Sequence, residues 1–184
     1  MTTVSNRIRF DINDNLINEF LGRFITEEFI RKLVCITENK SNPHIFKNSR
    51  NQPPFNFTLE INIQNNLFSI KQLKADRNSL DPDDITEKAA VGVIISFFLT
   101  IRPNISNINV ILKNGGYDYV WYENGKRIKI EVSGVNTSNR NAFYGRIYEK
   151  NRKFKKKIYA PRGAEEFIGI VDFYFYKYRI WKIR

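Results

Sequence analysis

The sequence predicts an α/β (α+β) fold, a mixed central sheet flanked by helices, and three observations support this. Strand-like runs flank an Asn124-Gly125 pair, a long apolar helical pattern precedes them, and a basic helical pattern with a β-rich tail follows. Helix, strands, helix and strand in that order imply helices layered on a sheet. A chain of 184 residues suits one compact domain that buries about 70% of its unfolded surface. The expected organisation is an N-terminal extension, residues 1–80, made of helix and a β-hairpin and packed on a core formed by residues 81–184.

Residues 12–36 read as helix in two pieces. Leu16, Phe20 and Phe24, then Phe29 and Leu33, recur at three-to-four spacing, and Thr26 followed by two acids resembles a second N-cap. A polar loop with Pro43, Pro53 and Pro54 comes next. Phe55, Phe57, Leu59, Ile61 and Ile63 alternate with polar residues as in a half-buried strand. With Asn65-Asn66 as a turn, Ile63 faces Phe68 and Ile61 faces Ile70, a hairpin that keeps one apolar face. Pro82, Asp83 and Asp84 then introduce a helix to about Leu99, whose Ala90, Val93, Ile94, Phe97 and Phe98 mark it as central. A hairpin at 117–133, a basic helix at 142–158 and one or two strands in FIGIVDFYFYKYRIWKI complete the core.

Single residues exclude several chemistries. Cys35 is alone among Leu33, Val34 and Ile36, so it reads as a small buried hydrophobe and no disulfide framework exists. His44 is the only histidine, which argues against histidine zinc sites and Ser-His-Asp triads. No Gly-rich phosphate loop occurs. The most apolar stretch, residues 89–101, is shorter than the roughly 20 residues of a membrane span, and the N-terminus has no apolar signal region. The expectation is a cytoplasmic protein without a membrane partner, in which carboxylates and lysines carry any catalysis.

Between Lys126 and Arg162 there are twelve Lys or Arg against two acids, Glu131 and Glu149, which places ten of the eleven excess positive charges there. Such a block points to a polyanion. Within the basic helix, Arg146, Lys150, Lys153 and Lys157 form one stripe, and Phe143, Ile147, Phe154 and Ile158 form another. An amphipathic cationic helix can lie on a membrane, but this apolar stripe is better used covering the hairpin, leaving the cations for phosphates. Tyr174, Tyr176, Tyr178 and Trp181 are candidates for base stacking, although their spacing is also that of ordinary strand residues packed in a core or interface.

Asn-Gly between strand runs signals a type I′ turn, because both positions need positive φ. With that turn, cross-strand partners have numbers summing to 249. Trp121 faces Ile128 and Tyr119 faces Ile130 toward the core; on the other face Val120 meets Lys129 and Asp118 meets Glu131. Two carboxylates directly opposite repel. A divalent cation held between them would relieve that penalty, and so would neighbouring lysines or arginines.

Gly116-Tyr117-Asp118, then twelve residues, then Glu131-Val132-Ser133-Gly134 resembles the PD-(D/E)XK nuclease superfamily, of restriction-endonuclease-like fold. The likeness spans about residues 83–175. Tyr117 stands where the name-giving Pro would be, and Ser133 where the Lys would be. The resemblance implies Mg²⁺- or Mn²⁺-dependent hydrolysis of phosphodiester bonds, of DNA rather than RNA, in restriction, defence or DNA processing, with a homodimer possible. It implies Asp118 and Glu131 as metal ligands, with Glu87 of the central helix as a third acid. Arg140, Arg146, Lys150, Lys153 and Lys157 would contact nucleic acid. The absent lysine needs a substitute, either Lys150 from the following helix or Lys129 from the strand, with the Ser133 hydroxyl near the attacking water. A catalytically inactive nuclease-fold subunit that binds nucleic acid is the alternative, and an RNA-binding module with an incidental carboxylate pair is the third.

Overall fold

The computed structural model describes residues 7–12, 24–37, 42–49, 57–64, 67–79, 81–102, 105–110, 119–155 and 164–183. These form β1 (Arg7–Ile12), α1 (Phe24–Thr37), β2 (His44–Asn48), β3 (Thr58–Ile63), α2 (Ile70–Ser79), α3 (Pro82–Ile101), β4 (Ile105–Val110), β5 (Tyr119–Glu123), β6 (Lys126–Val135), α4 (Arg140–Lys155), β7 (Ala164–Asp172) and β8 (Lys177–Lys182). The fold is mixed α/β, with one eight-stranded sheet in the order β1-β3-β2-β8-β7-β6-β5-β4. β4, β5 and β6 make an antiparallel meander, β7 returns parallel to β6, and β8 turns back antiparallel beside β7. Parallel neighbours cannot be joined by a tight turn, so α4 lies on the crossover between β6 and β7.

α3 is the central helix. The Asp81 carboxylate accepts from the Asp83 amide at 3.0 Å and Pro82 takes the first helical position, which together start it. Every residue from Ala89 to Phe98 is buried. Gly92 gives α1 its close approach: a Cβ there would meet the Phe29 carbonyl oxygen at 2.9 Å. The core on this side joins α1 and α3 to Ile128, Ile130, Val132, Phe167 and Val171 of β6 and β7. Asn139 starts α4 by accepting from the Asn141 amide at 3.0 Å. The helix then lays Phe143, Ile147 and Phe154 on Ile168 and Ile170 at the opposite face of the sheet.

The β5–β6 ladder has the expected register, Tyr119 with Ile130, Val120 with Lys129 and Trp121 with Ile128, and both turn residues, Asn124 and Gly125, have positive φ. Elsewhere the sequence reading is corrected. Residues 7–12 are strand, so Ile12 ends β1 instead of opening a helix, and Thr26 lies inside α1 instead of capping a second one. The hairpin after Ile63 does not form. Ile70 begins α2, because Ser69 and Gln72 make a reciprocal capping box (3.0 and 3.2 Å), and Ile61 pairs with Phe10 and His44 instead. β2 lies in the stretch read as a polar loop, and β4 was not foreseen. The basic helix covers β7 where the hairpin was expected, since β7 presents Ile168 and Ile170 while β6 presents polar groups. In the tail, Tyr174 and Tyr176 sit in the β7–β8 turn and only Tyr178 is fully buried. Cys35 is buried, as expected, with its thiol 3.8 Å from the Leu73 carbonyl oxygen.

Candidate functional site

Side chains alternate across a strand, so β6 shows Ile128, Ile130 and Val132 to the core and Lys129, Glu131 and Ser133 to α4. All six are buried. Glu131 is 1% exposed, which without partners would be prohibitive for a carboxylate. α4 supplies those partners. Lys150 Nζ lies 2.5 Å and Lys153 Nζ 2.8 Å from Glu131 Oε1. Positions 150 and 153 are one turn apart, so both reach the same acid once Phe143, Ile147 and Phe154 anchor the helix. Glu131 Oε2 is buried and has no hydrogen-bond partner among the described residues. One oxygen is therefore held by two ammonium groups and the other is left to accept from, or coordinate, something else.

Lys129 occupies the same face but turns to β7, where its register partner Glu166 lies with Nζ to Oε1 at 4.0 Å. At the far end of β7, Asp172 is fully buried. Its Oδ1 accepts the Tyr174 and Phe175 amides at 3.0 Å, and Lys177 lies 3.6 Å from Oδ2. Glu166, Ile168, Ile170 and Asp172 share this face by strict alternation, so the two acids were legible in the sequence and were missed.

Glu87 and Ser133 meet at a neighbouring cavity of about 550 Å³, lined by the first turns of α3, the end of β6 and the near flank of α4 with Gly145, Arg146 and Glu149. Gly134 makes that meeting possible, since a Cβ there would lie 2.3 Å from the Thr86 carbonyl oxygen. Glu87 is exposed on the rim, while Glu131 lies outside the lining. Arg146 is exposed and pairs with Glu149 at 3.3 Å. Arg140 is exposed at the start of α4, with its guanidinium 5.9 Å from the Phe175 ring centroid. The expected cationic stripe is thus divided: Arg146 faces solvent, whereas Lys150 and Lys153 turn inward to a buried acid. Asp118, Lys157 and Ile158 lie outside the described residues.

Among the described residues, no three His, Cys, Asp or Glu side chains gather as a metal cluster, and no helix is long and apolar enough to cross a membrane. No family model, curated protein or solved structure matches this chain.

Proposed function

We propose that this chain is a metal-dependent nuclease of restriction-endonuclease-like fold that hydrolyses phosphodiester bonds of DNA. The observation that carries the reading is Glu131, a buried carboxylate with two lysines on one oxygen and, among the described residues, no hydrogen-bond partner on the other. A buried ion pair of this kind is a poor device for stability, since an apolar pair of similar volume does as well or better. Buried charges left partly satisfied by hydrogen bonds are characteristic of sites that do chemistry. The order α3, meander, α4, parallel strand also agrees with the resemblance read from the sequence.

In this reading Glu131 Oε2 is one metal ligand and Asp118 the other, with Glu87 at the adjoining cavity. A bound Mg²⁺ or Mn²⁺ supplies Lewis acidity toward the phosphoryl oxygen and a lowered pKa for the attacking water. The chain's own groups do the rest. Lys150, held on Oε1 from the helix, takes the place of the lysine that Ser133 lacks and orients the water, while the Ser133 hydroxyl lines the approach. Water adds to phosphorus, the bond to the leaving oxygen breaks, and that oxygen leaves with a proton. Ser133 at the motif's lysine position favours the second reading, a nuclease fold that binds nucleic acid without cutting it.

Incubation with plasmid and with single-stranded DNA, with and without Mg²⁺ or Mn²⁺, tests the activity. Asp118→Asn is expected to abolish Mn²⁺ binding in calorimetry, and equal affinity in variant and wild type would overturn the site. Lys150→Met is expected to lose turnover by about 10²-fold or more with metal binding kept, whereas Lys129→Met, which faces Glu166, loses little turnover. Binding without cleavage by the wild type would replace the first reading with the second.

A further inference from the structure

α4 has two flanks. One lines the cavity beside Ser133; the other faces β8, where Lys177 Nζ lies 4.8 Å from the Tyr144 ring centroid and Trp181 Nε1 donates to Asn151 Oδ1 at 3.1 Å. On that second flank Tyr144 and Tyr148 are 55% and 69% exposed, although residues of this size usually bury most of their ring. They are one helical turn apart. The same side of β8 carries Lys177, Arg179 and Trp181 by alternation, with the Arg179 guanidinium 5.1 Å from the Trp181 ring centroid. Lys47 of β2, exposed and in register with Lys177, extends the basic surface across the sheet.

Exposed rings interleaved with cations suit one partner chemistry. In a duplex each base face is covered by its neighbours, so a protein ring has nothing to stack on; in a single strand the faces are free. Tyr144 and Tyr148 are separated by about 6 Å along the helix axis. That is nearly twice the roughly 3.4 Å rise between stacked bases, so two bases seated on them have left the helical stack. Lys47 on β2 and Arg179 on β8 match the phosphates of such a strand, while Lys177, paired with Asp172 and 18% exposed, backs the Tyr144 ring.

We infer that Tyr144 and Tyr148, backed by Lys177, Arg179 and Trp181, form a stacking platform for unpaired bases, which makes single-stranded nucleic acid the preferred ligand of this molecule. The inference rests on the nucleic-acid reading above and names its substrate class.

The test is fluorescence anisotropy with a labelled 20-nucleotide oligothymidylate and a labelled 20-base-pair duplex, at one salt concentration, in EDTA so that neither is cut. The wild type is expected to bind the single strand more tightly. Tyr144→Ala with Tyr148→Ala is expected to weaken that binding by about 30-fold, the equivalent of about 1 kcal/mol per stacked base, and to change duplex affinity less than about threefold. The double Phe variant, which keeps both rings, is expected to bind like wild type. An unchanged single-strand affinity in the alanine variant, an equal loss on both probes, or a wild type that prefers duplex would overturn the platform. Metal-dependent cleavage surviving any of these results leaves the nuclease reading standing. A wild type that binds neither probe removes the platform, and one that also cleaves neither probe with Mg²⁺ or Mn²⁺ removes the nuclease reading as well.

Discussion

The two faces of β6 and β7 are equally buried and chemically opposite. Toward α3 lie Ile128, Ile130, Val132, Phe167 and Val171, a dry surface held by dispersion and the hydrophobic effect. Toward α4 the same two strands place Lys129, Glu131, Ser133, Glu166 and Asp172 around a small apolar cluster of Ile168 and Ile170. Burial alone therefore does not separate core from site. What separates them is how the buried groups are satisfied. On the first face the buried strand residues are all apolar, whereas on the second Glu131 Oε2, Glu166 Oε1 and Asp172 Oδ2 have no hydrogen-bond partner among the described residues.

The largest test of this contrast exchanges one residue on each face. Glu131→Gln removes the charge that holds Lys150 and is expected to cut turnover by at least about 10³-fold, several kcal/mol of transition-state stabilisation, while the protein stays folded. Ile130→Ala, its neighbour in sequence on the other face, is expected to lose about 2–5 kcal/mol of stability in urea unfolding with turnover per folded molecule unchanged. If both variants lost stability alike and neither lost specific activity, the α4 face would be ordinary core.

A smaller effect concerns Lys153, whose side chain is 47% exposed although it touches Glu131. It is positioned to serve both the buried acid and a phosphate. Lys153→Ala is expected to weaken binding to all DNA sequences by a similar factor and to shallow the log–log salt dependence by about one unit. An unchanged slope would assign Lys153 wholly to Glu131.

The smallest lies on the dry face's border, where Arg102 at the end of α3 bridges Glu123 of β5 and Glu165 of β7 at 3.0 and 2.9 Å. Burial pushes the Glu165 carboxyl upward, but hydrogen bonds from Arg102 and Lys182 outweigh it and hold the group below its ordinary value. A depressed folded-state value adds stability above the unfolded pKa and loses it as pH falls through the folded one. Glu165→Gln is therefore expected to cost about 0.5–1 kcal/mol at pH 7, with the deficit closing below about pH 4. Urea midpoints at the two pH values check this, and a deficit constant with pH would show that packing, not charge, is lost.

Local chemistry by itself determined much of this protein. Asn124-Gly125 set the β5–β6 register, Asp81-Pro82 and a broad apolar run set α3, and period-two alternation put Glu131 and Ser133 on the face away from the core. These signals act between residues close in sequence, where turn geometry and side-chain period leave few alternatives. Even some misread features were written locally, such as the Ser69–Gln72 capping box that starts a helix in place of the expected hairpin. Only the tertiary structure decided the long-range pairings. β1 joins β3, and β2 joins β8, across separations that no periodicity encodes. The same holds for the lysines. Seen along the helix, Lys150 and Lys153 belong to a cationic stripe aimed at solvent; they turn inward because α4, anchored on β7, passes over a buried carboxylate whose charge must be met. The cost of burying an ion exists only once the fold has buried it, so that decision lies in the packing of α4 on the sheet.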